Sequence, residues 1–598
     1  PRGARLTFRS GAPEALARRR GARRPMWDRA EQGNDLESTA EVTTEHTVFT
    51  ASAVLAGRQP GARQAEKRQG RSALASSTAS GSSHAKRVLL ATRGVHFGEP
   101  LAEGHGFDRR SADGAGTANT LLPSEDLVQK IHKISPALSP MQEKQIEQVV
   151  VDIFHACQAC VLPSHAQTYG GEIYPIGAYQ LGVMLPGETV DMVYIAPCHI
   201  QMPSFLNTLQ TYLARLPGVS CLHLEGPDGH LTAPGFRLTL RGTTVKLLVS
   251  KRIPGIPAPT AGAIVPHTAG LIAWEVGDTL LNRVPNVELF RAFLKFVRYW
   301  AKRRGIYGSH TGFLSGTAWA ICCARICQTY PHLEISQLAI RFFRTLASWD
   351  LKQPISLLAS GSAGQSAATA VGPATDGAAP KAFGFELGQG SNSIVVLLPV
   401  GVGIPATPHV SETTAKIIQK QARRSNKMAQ QVVSGKAQWA DIYSAARFFE
   451  RYRHYLEFDF MASSPEVLSE WLVWGKQQLQ ELVHLFEATR KSMVTLRPWP
   501  EFIEFKDAEW PHSVAIFVGL QLERDHEGAR NSFDFREPIV KFLEAISTWP
   551  EATKHLNKFE LLIRHVRLAE LQERLQNAPE SVSCQDAIAD MNASNPPI

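Results

Sequence analysis

The stretch Val284–Pro331, VPNVELFRAFLKFVRYWAKRRGIYGSHTGFLSGTAWAICCARICQTYP, predicts two helices that pack against each other across a short loop. In its first half, apolar residues recur at the spacing of one helical face, and basic residues fall between them. Gly305 follows, a residue that tolerates the positive φ common at helix ends. Gly316–Tyr330 is apolar nearly all round, which predicts a buried helix. By itself the pattern is typical of a structural helical hairpin with a solvated basic edge.

Length and composition indicate several folded parts. A chain of 598 residues exceeds the size of one hydrophobic core. Its apolar fraction of 44% and charged fraction of 20% are ordinary for a soluble globular protein. The formal net charge of +8 suits a polyanionic partner such as RNA, or reflects only a basic tail. Because no run of eighteen apolar residues occurs, we predict no membrane partner.

Two segments have a composition that does not favour a packed core. Residues 1–120, dominated by Arg, Ala, Gly and Ser, predict a disordered basic tail. Its first two dozen residues contain a single acid, Glu14, which fits an organellar transit peptide, a nuclear basic signal or an RNA-binding arm. Residues 357–393 predict a low-complexity insertion or surface loop.

Strand and helix patterns fill the remainder. A strand is predicted over Val190–Ala196, with Asp191 near its start, and a strand pair over Phe236–Leu240 and Thr244–Ser250. Towards the end of the chain the predicted helices are Trp439–Tyr455, Pro465–Lys491 and Glu551–Gln576, and the predicted strands are Phe502–Phe505 and Val514–Leu520.

Three stretches of the chain resemble the eukaryotic poly(A) polymerase family. The hairpin aligns without a gap with the family's central-domain pattern, which runs VPN, FR, a Lys, WAKRRGIYSN, GFLGG, SWA and AR-CQ-YP. The segment Gly170–Pro197, GGEIYPIGAYQLGVMLPGETVDMVYIAP, is similar to the nucleotidyltransferase signature GG-I-FTFGSYRLGVHxxGADIDALCVAP. The predicted strand pair, Phe236–Leu240 and Thr244–Ser250, resembles the family segment that ends in GIEIDILFA.

The resemblance implies an α+β fold in three parts. These are a polymerase-beta-like nucleotidyltransferase domain over residues 121–265, a helical central domain over residues 266–440, and an RRM-like RNA-binding domain over residues 441–598. Enzymes of this family add AMP from ATP to RNA 3′ ends. Two divalent ions, Mg²⁺ or Mn²⁺, are held by three carboxylates in that reaction. Two of the carboxylates lie at i and i+2 on one strand, because a period of two places them on the same face.

At the positions that align with the three carboxylates, only Asp191 is acidic. Thr189 occupies the first position and Lys246 the third. A lysine places positive charge where a cation should bind, so the site is expected to hold Mg²⁺ poorly. Glu188 is one residue out of register and would substitute only if the strand slipped; Glu172 is another nearby acid. We expect Lys246 to pair with Asp191 in place of the metals.

The implied nucleotide contacts are partly changed. Ala178 replaces the serine of the family's Gly-Ser pair, and Gln180 replaces the following arginine. Arg298 replaces the phosphate-contacting lysine and keeps a cation at that position. The nucleotide-binding positions implied by the resemblance are Gly177, Ala178, Arg298, Tyr307 and Gly316.

Further residues are candidates for RNA contact. Lys302, Arg303 and Arg304 fit an RNA or phosphate groove as well as they fit a solvated helix face. Phe502, Phe505 and Phe517 lie in the RRM-like region, where core packing is favoured over base stacking.

Two function classes follow. The first is a catalytically inactive, RNA-binding scaffold or subunit of an RNA-processing or ribonucleoprotein complex, with RNA and other proteins as partners and no required cofactor. The second is an active polynucleotide adenylyltransferase for polyadenylation, with a rearranged metal site, that uses ATP and Mg²⁺ or Mn²⁺. The replaced carboxylates favour the first class. The resemblance implies the nucleus, whereas the Arg-rich start of the chain is also compatible with the mitochondrion.

Overall fold

The computed structural model describes residues 48–51, 123–161, 171–225, 233–251, 269–357, 393–401, 403–488, 494–505, 507, 509–522 and 535–571. The chain divides into two compact units, one running from Arg58 to Ala446 and the other joining Pro1–Gly57 to Arg447–Ile598. The predicted disordered tail lies outside the described residues except for strand β1 (Val48–Ala51), which belongs to the second unit. The predicted insertion also lies outside them, apart from its two end residues.

The first unit begins with helices around a five-stranded mixed sheet whose strand order is β2-β3-β6-β5-β4. Strand β3 pairs with β6 in parallel and with β2 antiparallel, and its side chains are buried on both faces along most of its length. A central strand covered on both faces is expected to be apolar nearly throughout, as VDMVYIA is. The elements are α1 (Pro123–Ile134), α2 (Pro140–Val161), β2 (Glu172–Pro175), α3 (Gly177–Gln180), β3 (Val190–Ala196), α4 (Met202–Ala214), β4 (Val219–Glu225), β5 (Gly235–Leu240) and β6 (Thr243–Lys251).

The strand register places the predicted site residues side by side. Asp191 of β3 lies opposite Lys246 of β6, and Lys246 lies opposite Arg237 of β5. The strand predicted over Val190–Ala196 is confirmed with the same bounds, and the other two predicted strands extend by one residue at one or both ends.

The second part of the first unit is helical, and the predicted hairpin is confirmed as α6 and α7. Asn286 caps α6 by accepting a hydrogen bond from the Leu289 N–H, with 3.0 Å between the two atoms. Trp300 of α6 and Trp319 of α7 are fully buried and meet edge to face, with ring centroids 5.6 Å apart. The helices are α5 (Ala269–Arg283), α6 (Val287–Arg303), α7 (Gly316–Thr329), α8 (Ile335–Ala347), α9 (Glu412–Val433) and α10 (Trp439–Ile442).

A short β-bridge joins the two sides of the predicted insertion. Ile355 pairs with Val396 in parallel, and the Ile355 N–H donates to the Val395 carbonyl over 2.8 Å. Ile355 and Val396 are both buried in the helical core. The chain therefore leaves and re-enters the core at neighbouring points.

The second unit is built on an antiparallel sheet in the order β1-β11-β7-β10-β8, with β9 also pairing with β10. After a short first helix, its elements alternate as strand, helix, strands, helix and strand, an order compatible with the split βαβ arrangement. The assignment of this unit as RRM-like stays a prediction. Its elements are α11 (Phe448–Arg451), β7 (His454–Ala462), α12 (Pro465–Ala488), β8 (Val494–Pro498), β9 (Ile503–Phe505), β10 (His512–Leu522), α13 (Arg536–Ile546) and β11 (Phe559–Arg567).

Two predicted helices were wrong. The segment Trp439–Tyr455 is broken into two single-turn helices, α10 and α11, and its last residues begin β7. Within Glu551–Gln576 the described residues contain strand β11, not a long helix. Pairing with β7 along its whole length outweighs the helix propensity of its Leu and Glu residues.

The two faces of this sheet differ. Alternate residues of β7, beginning at Leu456, pack with α12 and α13. On the opposite face Phe517 is fully buried and meets Phe505 edge to face, while Phe502 packs near the helix-side core, so the three candidate stacking residues have core contacts. Beside them Glu457 and Asp459 both form ion pairs with the Arg564 guanidinium, and burial raises the pKa of both carboxyls.

Within the described ranges, every helix is too short or too polar to cross a bilayer.

The fold generates a first prediction. Trp300→Ala should lower the free energy of unfolding of the first unit by about 3–5 kcal/mol, because it leaves a cavity where a fully buried indole was. The substitution also removes the indole Nε1–H, which donates to Ser425 Oγ over 2.8 Å. Ser425→Ala is the control and should cost about 1–3 kcal/mol, because it leaves the indole N–H unpaired. Urea unfolding followed by circular dichroism measures both; equal losses would contradict the packing role.

Candidate functional site

The candidate site lies at the start of strand β3, where Asp191 is the retained carboxylate. Burial raises the pKa of Asp191 to about 6, and the nearby charges of Lys246 and Arg237 offset that effect only in part. Within the described part of the chain, its carboxylate makes no hydrogen bond or ion pair. Asp191 is therefore placed to bind a proton near neutral pH.

Gly177 lies against the Asp191 carboxylate. Its φ is +62°, and a Cβ added there would lie 3.2 Å from Asp191 Oδ2. A larger residue would be strained at this φ and would crowd the carboxylate. The structure thus brings together the retained glycine and the retained carboxylate. Ala178, the next residue, is half-buried and packs between the two cores of the first unit.

Lys246 forms an ion pair with an acid other than Asp191. Its Nζ lies 3.5 Å from Glu225 Oε2, and Arg237 Nε lies 2.6 Å from Glu225 Oε1. Glu225 is only 6% exposed, so the two cations balance a carboxylate that burial would otherwise disfavour. The expected pairing of Lys246 with Asp191 is replaced by this contact, although the two residues are register partners.

Glu188 is held by two cations of helix α6. Arg298 Nη2 lies 3.0 Å and 3.1 Å from its two carboxylate oxygens, and Lys302 Nζ lies 2.8 Å from Oε1. The backbone N–H of Leu185 donates to Oε2 over 3.0 Å. Burial alone would raise the pKa of Glu188, but Arg298 and Lys302 outweigh burial and hold that pKa below its usual value. Glu188 therefore stays ionised, next to Thr189, the position that aligns with the family's first carboxylate.

Three of the five residues expected to contact the nucleotide, Arg298, Tyr307 and Gly316, lie near this ion pair. Arg298 is 8% exposed and donates to the Val183 carbonyl, and the nearby Tyr307 hydroxyl and Glu188 carboxylate raise the pKa of its guanidinium against the effect of burial. Lys302 Nζ lies 5.5 Å from the centroid of the Tyr307 ring. A Cβ added to Gly316 would lie 2.6 Å from the Tyr307 hydroxyl, so a larger residue there would displace the ring.

Arg304, predicted to contact RNA, is buried and forms hydrogen bonds within the helical core. It is 5% exposed, and its guanidinium bonds Gln421 Oε1 and the carbonyls of Ser444 and Ala445. These bonds tie the end of α6 to α9 and to the segment after α10. Arg303 is half-buried in the last turn of α6.

Known proteins resemble this chain in sequence. The model of the poly(A) polymerase central domain matches residues 289–445. Nuclear poly(A) polymerase 1 of Arabidopsis thaliana is 30% identical over 407 residues, which cover 66% of this chain and 54% of that protein. Poly(A) polymerase pla1 of Schizosaccharomyces pombe is 27% identical over 389 residues, which cover 62% of this chain and 65% of that protein. These matches support the eukaryotic poly(A) polymerase family as the one that this chain resembles.

Solved structures resemble the chain at lower identity. A structure of Cid1, described with RNA terminal uridylyl transferase activity, is 10% identical with a TM-score of 0.38, covering 54% of this chain and 99% of that chain. A structure of mtPAP in complex with ATPγS is 13% identical with a TM-score of 0.38, covering 55% of this chain and 77% of that chain. The chain spans about half the length of the first Arabidopsis relative, 54%.

The family's divalent ions do not fit the residues present. Glu188 is paired with Arg298 and Lys302, and Glu225 with Arg237 and Lys246, which leaves Asp191 as the one carboxylate of the three without an ion pair in the described region. Glu172, the other candidate acid, lies opposite Ile195, four residues or about 13 Å along β3 from Asp191. Among described residues, no group of three or more His, Cys, Asp or Glu side chains could hold a metal ion.

Sequence reasoning missed Glu225 and Arg237. Glu225 lies outside the stretches that carried the resemblance, and Arg237 lies in a predicted strand to which no role was given. The pairing of β4, β5 and β6 brings both residues to Lys246. A usable signal was the lysine itself, because a half-buried ammonium needs a carboxylate partner.

The Glu188 contact generates a second prediction. Glu188→Gln should lower the free energy of unfolding by about 2 kcal/mol, because the buried Arg298 guanidinium keeps its charge and loses its carboxylate. Lys302→Gln is the matched control and should cost less than about 1 kcal/mol, since that side chain is 37% exposed. Urea denaturation at pH 7 measures both; a greater loss for Lys302→Gln would contradict this order.

Asp191 generates a prediction about pH. Its folded-state pKa of about 6 lies above the value near 4 of an unfolded aspartate, so the folded chain keeps a proton that the unfolded chain releases. The free energy of unfolding should therefore fall as pH rises between about 4 and 6, and this contribution stays lost above pH 6. Asp191→Asn should remove that fall and stabilise the chain by about 2 kcal/mol at pH 7. Unfolding midpoints of both proteins across pH 4–7 measure the effect; parallel pH profiles would refute it.

Proposed function

We propose that this chain is a poly(A) polymerase-like RNA-binding protein that has lost catalysis and acts as a scaffold or subunit in RNA processing. The observation that carries the proposal is that two carboxylates of the site form ion pairs with the chain's own Lys and Arg residues. Glu188 is held by Arg298 and Lys302, and Glu225 by Arg237 and Lys246. Asp191 alone remains, next to a lysine.

The charge of this arrangement opposes a two-metal reaction. Two divalent ions require several carboxylates to offset mutual repulsion and to fix octahedral geometry. Lys246 supplies a positive charge at the third position, and Thr189 supplies only a hydroxyl at the first. A site with one unpaired carboxylate is expected to hold one ion weakly and two ions not at all.

The phosphate contacts point the same way. An incoming triphosphate would need Arg298 and Lys302, yet both already bond the Glu188 carboxylate. Displacing Glu188 would leave that carboxylate without its partners beside an anionic ligand, which is unfavourable. ATP binding is therefore expected to be weak as well.

The partner proposed is RNA, together with other proteins of a ribonucleoprotein complex. Support comes from the net charge of +8 and from relatives whose names are poly(A) polymerases. The nucleus is the proposed compartment, since relatives in Arabidopsis are nuclear poly(A) polymerases. The Arg-rich first two dozen residues keep the mitochondrion as the alternative.

A second candidate is an active polynucleotide adenylyltransferase that uses ATP with Mg²⁺ or Mn²⁺ and a rearranged site. One observation favours it: Gly177 still touches Asp191, while Tyr307, Gly316 and a cation at 298 still converge. An enzyme of this kind would need Glu188 to leave its cations during the reaction.

Primer extension separates the two candidates. The full chain is incubated with a short oligo(A) RNA and ATP, with Mg²⁺ or with Mn²⁺, and RNA binding is measured in parallel. We expect binding without extension. Extension that Asp191→Ala abolishes would establish the adenylyltransferase and reject the inactive scaffold. Failure to bind RNA would reject both.

A restored variant tests the reason for inactivity. Glu188→Ala, Thr189→Asp and Lys246→Asp together recreate the family's pattern at these positions and release Arg298 and Lys302. This triple variant should bind ATP with Mn²⁺ at least tenfold more tightly than the natural chain, measured by calorimetry. Glu188→Ala alone is the control and should gain much less. Equal affinities for all three proteins would show that the carboxylates do not limit binding.

A further inference from the structure

Helices α8 and α9 carry an unusual excess of positive charge. Their sequences are ISQLAIRFFRTLA and ETTAKIIQKQARRSNKMAQQVV. Together they contain seven Lys and Arg residues and one acid, Glu412. A solvated helix face commonly mixes both signs of charge, so this composition differs from the ordinary surface pattern.

The cations of α9 lie in one exposed row. Lys416, Lys420, Arg423 and Lys427 follow at intervals of four, three and four residues, and all four are exposed. That spacing places them on one face along about 16 Å of the helix axis. Like charges at this spacing repel and destabilise a helix by a few tenths of a kcal/mol per pair. The repulsion is relieved when an anion lies along the row.

Helix α8 extends the charged surface. Gln419 Nε2 donates to the Trp349 carbonyl over 2.8 Å, and Arg423 Nη1 donates to the Ala347 carbonyl over 3.4 Å. Successive turns of α9 therefore meet Trp349, two residues beyond the end of α8, and then Ala347, the last residue of α8, so the two helices run antiparallel at this end. Arg341 and Arg344 are the exposed cations of α8.

Among the residues of α8 and α9, one acid, Glu412 at the start of α9, is present to neutralise the row of cations. Glu412 Oε1 lies 2.7 Å from Lys416 Nζ, in a pair whose lysine is 66% exposed. Exposed pairs of this kind contribute little and are screened by salt. The row beyond Lys416 contains no acid in either helix.

We propose that the surface formed by Arg341, Arg344, Lys416, Lys420, Arg423 and Lys427 binds the phosphate backbone of single-stranded RNA. This α8–α9 surface shares no residue with the site around Asp191 and Glu188. The identity of the polyanion rests on the proposed function, which makes RNA the partner. A row of about 16 Å matches about five phosphates at the spacing of a stacked strand. Contacts to phosphates carry no sequence information, so binding here is independent of sequence.

Salt dependence of binding tests the α8–α9 surface. The variant Arg344→Gln, Lys416→Gln, Lys420→Gln, Lys427→Gln is compared with Lys133→Gln, Lys144→Gln, Lys541→Gln, Lys558→Gln, which removes equal charge from exposed positions elsewhere. Fluorescence anisotropy of a labelled oligo(A) gives the affinity of the full chain from 50 to 300 mM salt. The first variant should lower the slope of log affinity against log salt by about 2–3, since each phosphate contact on a single strand contributes about 0.7. The RNA affinity of the first variant at 100 mM salt should fall at least tenfold. In the control variant the change in log affinity should be less than half as large.

Each result distinguishes this inference from the proposed function. If the natural chain binds RNA but the α8–α9 variant keeps the same slope, the inference is overturned while RNA binding stands. Equal losses in the two variants also overturn it, because net charge alone would then explain the effect. If the natural chain binds no RNA, the proposed function fails first. Binding of poly-glutamate with an equal slope would identify an acidic protein as the partner and overturn the RNA assignment. Circular dichroism of both variants confirms that the helices are intact.

Discussion

The bonds between the Glu188 carboxylate and two cations of α6 determine how the site is arranged. Glu188 lies in the loop two residues before β3, so its ion pairs help to fix where the strand begins and where Asp191 lies. The same contact joins the sheet to the first helix of the hairpin within one compact unit. Because Arg298 is nearly buried, its charge requires a nearby anion at all times. Here that anion belongs to the chain itself.

A second set of opposite charges lies across neighbouring strands of the sheet. Asp191, Lys246 and Arg237 follow one another on neighbouring strands, and Glu225 reaches both cations from β4. Buried ion pairs rarely stabilise a fold more than apolar residues would, so this row is not a source of extra stability. Its effect is neutrality without an external ion.

Local sequence patterns predicted the elements around the site well and its contacts only in part. Strand β3 could be placed because a continuous apolar run between turn residues is typical of a covered central strand. The hairpin of α6 and α7 followed from helical periodicity and from resemblance together. The pairing of Glu225 with Lys246 depends on strand register across residues far apart in sequence, which no local pattern records. The direction of Glu188 depends on where α6 packs, and β11 resembled a helix until its pairing with β7 was known.

The bridge between Ile355 and Val396 has a consequence for how the family's central domain can vary. The two ends of the intervening segment are held together by buried backbone hydrogen bonds, so the core does not depend on the segment's length. The entropy lost in closing such a loop rises only with the logarithm of its length, about 0.6 kcal/mol for each doubling. Insertions, deletions or an entire guest domain at this point should therefore be tolerated by the helices beneath. The bridge makes this position a natural place for relatives to diverge in length while the helical core is retained.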